Sequence, residues 1–314
     1  MNFNLKLRKL QTNLDMWKAR DLTLFGRVLI IKSLGLSQLV YSASNLSVPK
    51  EITPIIKTKL FNFLWKNKRD KIKRAGLYQD LEKGGIRMTD VEIMIKALRL
   101  AWIPRLLTPE MRNWKAIPDY YLNKTGGLNF LLRCNYDAKY IDGLPLFYKD
   151  ILTFFTELKN LYSYDSMQDL VLFNNKEILV GGRPVFIKEW FDSNILTIRD
   201  LLNSNGQLLS FQEFNDKYDC NMNFLQFYQV TSAIPKYLVI KARNTEPLEN
   251  EIYTRNNFLF QLDDSTQLQL DNAKTRDFYG LLNRKIHTVH QTGPMNWNSK
   301  TRLDENAWKK FSSP

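Results

Sequence analysis

Six cations fall within nine residues: Lys66, Lys68, Arg69, Lys71, Lys73 and Arg74. Asp70 is the single opposing charge, and Trp65 stands immediately before them. Ammonium and guanidinium groups at this density bind phosphate by releasing condensed counterions, and a neighbouring aromatic can stack on a base or sugar. The chemistry they suggest is grip on a polyanion rather than bond-making. Arg20, Arg27 and Lys32 extend the cationic set upstream as lesser contacts. The plain alternative is a solvated charged loop.

The charge balance of the whole chain sharpens this. The net charge of +13 lies entirely in the first third. Residues 1–105 carry 21 Lys and Arg against 8 Asp and Glu, while residues 106–314 carry 24 of each. A concentrated field of one sign points to a polyanionic partner, nucleic acid or an anionic membrane. The membrane is the weaker expectation, because Trp and Phe are not ranged opposite one long cationic face. Leu22–Val40 is the most apolar run, but Thr23, Gly26, Arg27, Lys32 and Gln38 interrupt it. The N-terminus has no signal-peptide pattern, so the expected location is the cytoplasm or nucleus.

Other reactive side chains form no recognisable centre. Cys134 and Cys220 are far apart and lack a CxxC partner, which suggests reduced thiols. His287 and His290 could share a helical face, but a zinc site needs about four ligands and no Cys pair or nearby Glu completes one. They read as helix-end histidines. Asp263-Asp264 follows an apolar run and reads as a solvated turn. No phosphate-binding glycine loop or nucleophile elbow occurs, so Gly84-Gly85 and Gly181-Gly182 are expected to be turns. No metal or cofactor is expected.

The elements that would position the cations are mainly helical. Leu7, Leu10, Leu14 and Trp17 recur at helical spacing over about residues 4–18. Thr23 can cap a second helix running to about Tyr41, rich enough in apolar residues to be the most buried element, with Gly35 as a point of bending. Thr53-Pro54 suggests the start of a third helix, with Ile55, Ile56, Leu60, Phe63 and Leu64 inward. Lys71-Ile72-Lys73 alternates, which suggests a loop followed by a short strand through Leu77 and Tyr78. Thr89 and Glu92 form a capping-box pattern for a helix whose apolar face is Val91, Ile95, Leu98 and Trp102, closed by Pro104.

Three regions follow from composition: a basic helical domain over 1–108, a Pro/Gly-rich connector over 109–145 that is irregular but still packs, and a mainly helical region over 146–314. In the last, helices are expected at Asp150–Leu161, Thr197–Asn203, Ser210–Lys217, Asn223–Val230 and Ala273–Ile286, with a polar stretch at Asn244–Glu251. Ile178-Leu-Val180 and Val185-Phe-Ile187 suggest a small β-hairpin turning through Gly181–Pro184. An apolar pattern at Trp308–Phe311 has only begun where the sequence stops, which suggests a fragment.

The order of short motifs resembles a known family. Trp17, Arg20, Leu24-Phe-Gly-Arg-Val-Leu-Ile-Ile-Lys32, Tyr41, Pro49, Phe63-Leu-Trp65, Ile72-Lys-Arg74, Gly84-Gly-Ile86 and Ala97-Leu-Arg-Leu-Ala-Trp102 are similar to the segment after the polymerase core of LINE-type (non-LTR) retrotransposon reverse transcriptases. Ile178-Leu-Val-Gly-Gly-Arg-Pro-Val-Phe186, Trp190-Phe-Asp192, Ile198–Leu202, Phe211–Phe214 and Leu225–Pro235 resemble the C-terminal region of the same reading frames. The resemblance implies a thumb-like helical bundle in 1–108 that grips template–primer backbone, in RNA, DNA or their hybrid, without sequence preference. It also implies a larger parent protein with a polymerase core upstream.

The family's polymerase needs an aromatic-x-Asp-Asp motif and a distant aspartate to hold two divalent metals. Here Gln261 occupies the aromatic position before Asp263-Asp264, on the wrong side of the thumb-like part, and no partner aspartate motif precedes it. The expectation is therefore a non-catalytic binding segment. The alternative is a protein-interaction module that docks on a separate polymerase half.

Overall fold

The computed structural model describes residues 3–108, 113–162, 169–218, 223–245, 259–263 and 266–287. The fold is mainly α, and its described strands form two antiparallel pairs. Two compact units divide the chain. The first joins residues 3–100 to 274–287, and the second comprises 101–273. The expected divisions at 108 and 145 do not coincide with these units. Apolar packing, rather than composition along the chain, groups the helix after residue 274 with the N-terminal part.

In the first unit, α1 (Phe3–Lys18) turns Leu7, Leu10 and Leu14 inward. Thr23 then caps α2 (Leu24–Ile30) through its side chain, which accepts from the Gly26 N–H. The helix continues through a π segment, Ile31–Leu36, into α3 (Ser37–Asn45). The widened turn holds Gly35, where a Cβ would stand only 3.1 Å from Leu10 Cδ1. The missing side chain in this π turn thus lets α1 approach closely. This helix is not the most buried element, contrary to its composition. Val28, Ile31, Leu36 and Leu39 face the core, but Phe25 is 58% and Leu29 64% exposed. A single-sided packing partner covers only one stripe. Leu24–Asn45 is also long and apolar enough to cross a membrane by length and composition.

α4 (Ile52–Leu64) starts a residue before the expected Thr53 cap, and Thr53 is itself buried within it. Its inward face carries Ile56, Leu60, Phe61, Phe63 and Leu64, while Ile55 points outward. The expected strand through Leu77 and Tyr78 is absent. Arg74–Leu77 forms a short helical turn, α5, instead. The alternation at Lys71-Ile72-Lys73 finds no partner strand to ladder with, and Ile72 remains exposed. Leu77 carbonyl nevertheless accepts from Ile86 N (3.3 Å) and Met88 N (2.9 Å), which closes the segment into a clasp. Gly84 supplies the positive φ of its turn. Gly85 is required for a different reason: a Cβ there would lie 2.1 Å from Gln79 O.

α6 (Val91–Leu100) ends at Ala101, and α7 (Trp102–Leu107) begins at once. Pro104 does not terminate the helix and Ile103 is helical. Pro104 sits in the first turn of α7, where its missing N–H has no intrahelical acceptor to lose.

In the second unit, the expected connector packs, and its described residues from 113 form short helices rather than irregular chain. α8 (Ala116–Leu122) and α9 (Leu128–Arg133) contribute Leu122, Leu128, Phe130, Leu131 and Leu132 to the core. α10 (Leu146–Leu161) starts earlier than Asp150. The hairpin lies where expected, but its strands are β1 (Leu179–Val180) and β2 (Arg183–Pro184), joined by Gly181-Gly182. Both glycines have positive φ, which suits a two-residue hairpin turn. α11 (Lys188–Asp192) buries Trp190 completely, with Phe214 at a centroid distance of 4.9 Å. Thr197 and Asp200 form a capping box for the 3₁₀ turn Ile198–Leu201. α12 (Phe211–Tyr218) and α13 (Phe224–Ala233) lie close to their expected bounds. α14 (Lys236–Asn244) precedes the expected polar stretch, whose residues from 246 lie outside those described. Asp263 is the last residue of β3 (Leu259–Asp263), which pairs with β4 (Thr266–Gln269); Asp264, Cys220, His290 and residues 308–311 also lie outside the described set. α15 (Thr275–Ile286) returns to the first unit and packs on α6.

Candidate nucleic-acid interface

The cationic stretch is anchored at its start by the way α4 stops. Lys66 N donates to Phe63 O at 3.3 Å and Asn67 N to Asn62 O at 2.7 Å. These are the two bonds of a Schellman ending. Lys66 and Asn67 both take left-handed backbone conformations, with φ of 51° and 58°. Lys66 therefore occupies the position where helices usually place glycine. Arg27 reinforces the same end: its guanidinium donates to Leu64 O at 2.8 Å and to Leu22 O at 2.9 Å.

These contacts sort the sequence-predicted residues. Arg27 is half-buried and spent on backbone carbonyls, which removes it as a phosphate contact. Trp65 is only 8% exposed, so its ring is no free stacking platform and serves as wall rather than as a stacking face. It belongs to the core of the unit. Lys66 pairs with Asp21 at 3.1 Å. Arg74 pairs with Asp70 at 2.7 Å, and its Cζ lies 4.0 Å from the Phe61 ring centroid. Arg20 covers Trp17 at 4.2 Å. Lys68, Arg69, Lys71 and Lys73 are exposed and have no carboxylate partner among the described residues.

Lys66, Lys68 and Lys71 also rim a concavity of about 510 Å³. Leu22, Leu24, Trp65 and Ile72 supply its apolar lining. A cationic rim over an apolar hollow can hold phosphates at the edge with a sugar or base turned inward. Lys32 does not join this group. It lies in a different concavity beside Tyr78, Arg87 and Tyr279.

The stretch is anchored at its far end by residues that sequence reasoning missed. The α6 cap is Asp90, not Thr89. Its Oδ1 accepts from Glu92 N at 2.8 Å, and Glu92 turns away to meet Lys57 at 3.0 Å. His287 Nε2 lies 2.9 Å from Asp90 Oδ2, and Asp90 N donates to Tyr279 Oη at 2.9 Å. Asn283 Nδ2 donates to Tyr78 O at 3.3 Å, and the Gln79 amide donates to His287 O. His287 also lies against Tyr78, which meets Phe61 edge to face. Arg74 over Phe61 thus begins a chain of ring contacts that ends on α15. Burial pushes the Asp90 carboxyl up, but the His287 hydrogen bond, the Lys57 ammonium and the Glu92 N–H together hold it below the usual carboxylate range. Tyr279, Asn283 and His287 recur every four residues, so one polar stripe of α15 was visible in the sequence. Nothing local indicated its partners, which lie about 200 positions away.

No group of three His, Cys, Asp or Glu is gathered as a metal site among the described residues. No protein-family model matches the chain.

Proposed function

We propose that the first unit grips nucleic-acid backbone without sequence preference, as a non-catalytic segment of a LINE-type reverse transcriptase acting in the cytoplasm or nucleus. The observation that carries this reading is the set Lys68, Arg69, Lys71 and Lys73: four exposed cations without carboxylate partners, on a segment anchored at both ends. A tethered loop keeps its charges converged, so binding a strand costs less ordering entropy than it would from a free tail.

The test is affinity for RNA, DNA and hybrid duplexes as a function of salt. Four phosphate contacts give a slope of log K against log salt of roughly −3 to −4. Changing Lys68, Arg69, Lys71 and Lys73 together to Glu should abolish that slope and weaken binding about 100-fold or more at low salt. A flat dependence in the unaltered protein, or full affinity in the variant, overturns the proposal. The protein alone should incorporate no nucleotide into a primed template.

A second reading is a module that docks on a separate polymerase half. Phe25, Leu29 and Tyr41 favour it, since all three are exposed apolar residues of the Leu24–Asn45 helix. Its test is direct binding to a separately produced polymerase half. Phe25→Ser with Leu29→Ser should weaken that binding without touching the salt slope on duplexes.

A further inference from the structure

A second concavity in the first unit, of about 320 Å³, is formed by the Tyr78–Thr89 clasp, the π segment and α15. Lys32, Lys83, Arg87 and Arg284 all line it, and Asp80 is the only acid among its lining residues. Arg87 takes that acid, with Nε 2.9 Å from Asp80 Oδ1. Lys32, Lys83 and Arg284 have no carboxylate partner among the described residues. Met88 and Tyr279 add an apolar wall.

Four cations converging on one hollow with one carboxylate between them repel one another. Lys32 is half-buried, and its ammonium pKa is lowered from the usual lysine value first by that burial and then by the nearby Arg87 charge. A fold bears such repulsion at little cost on an open surface but not in a half-enclosed site. A bound anion removes it. The volume exceeds what one tetrahedral oxyanion fills and lies at the low end of small-ligand pockets. An apolar wall beside the cations would receive the organic part of an ester.

We infer that this hollow binds the phosphate of a mononucleotide, free or at the end of a strand, with Lys32, Arg87 and Arg284 on the phosphate oxygens. The inference does not rest on the cationic loop and holds or fails separately from it.

The test is calorimetric titration and thermal shift of the whole chain with adenosine 5′-monophosphate, inorganic phosphate and sulfate. Two oligonucleotides that differ only in a 5′-phosphate or 5′-hydroxyl complete the set. Saturable binding of the monophosphate is expected. Lys32→Met combined with Arg284→Gln should weaken it about ten-fold or more, as loss of charge-assisted bonds does. Among the described residues neither side chain makes a hydrogen bond or ion pair, so the variant should remain folded. The Lys68, Arg69, Lys71 and Lys73 variant should bind the monophosphate as before. Preference for the 5′-phosphorylated strand assigns the site to strand ends, and equal binding of both strands assigns it to the free nucleotide. No saturable binding overturns the inference. So does equal monophosphate affinity in the Lys32/Arg284 variant, or a sulfate shift as large as the phosphate shift in both proteins.

Discussion

Lys159 is enclosed in the second unit beside Cys134, with Nζ 3.4 Å from the carbonyls of Leu132 and Cys134 and 4.8 Å from the Tyr136 ring. Burial pushes its pKa down to about 7. Burial likewise pushes the Cys134 thiol up to about 12, so this cysteine has no thiolate to offer at neutral pH. The ordinary lysine value is 10.5, so between pH 7 and 10.5 the unfolded chain binds a proton that the folded chain does not. Stability of this unit should rise with pH across that window and level off below pH 7. Lys159→Met should remove the rise and raise the melting temperature at pH 6 by roughly 3–6 °C, equivalent to about 1–2 kcal/mol in a unit this size. A variant that keeps the wild-type slope above pH 7 would show that another group titrates. Lys66 illustrates a different kind of strain. Its left-handed backbone suits glycine, so Lys66→Gly should be neutral or stabilise by up to about 1 kcal/mol, measured by denaturant unfolding.

At the scale of elements, α15 is the part that secures the basic segment. Its apolar residues Phe278, Leu281 and Leu282 are buried, and its polar stripe holds Asp90 and the Tyr78 carbonyl. Asp90 has a double role, as the α6 cap and as the partner of His287. Asp90→Ala should therefore cost about 1–3 kcal/mol, more than an exposed cap alone. Asp90→Asn tests the electrostatic part. The folded carboxyl lies below its ordinary value of 3.8, so its contribution is present above that pH and lost as pH falls through the lower folded value. The asparagine variant should lack that acid-side loss. Helix existence was largely legible from periodicity, as at α1, α4 and α12. The strand at Lys71–Tyr78 was misread because alternation shows which side chains share a face, not whether a partner strand exists. The cap was placed one residue early because Thr89 and Asp90 are both good caps, and the deciding contacts come from Tyr279 and His287. The connector packs as expected, but its helices were missed because Pro and Gly mark turns between short helices as readily as they mark irregular chain.

For the whole molecule, the sequence showed where the charge is but not how the chain is divided. The net positive charge of residues 1–105 was plain from counting, and Lys68, Arg69, Lys71 and Lys73 lie within the first unit. Return of residues 274–287 to that unit was invisible, since no composition shift marks it. Each unit has its own buried core, with Leu10, Leu60 and Leu98 in one and Phe130, Phe155 and Trp190 in the other. A scanning calorimetry trace should therefore resolve two transitions. Asp90→Ala should lower one of them and leave the other in place, while Lys159→Met should move only the second. Shortening the chain after Ala273 should lower the same transition as Asp90→Ala, because it strips α15 from α6 and removes His287 from Asp90. The shortened chain should also lose duplex affinity with all of its loop cations intact, since the far anchor of the loop is gone. A single transition moved equally by both substitutions would mean that the units unfold as one. Unchanged duplex affinity after the truncation would mean that the loop needs only its Schellman end to hold its charges together.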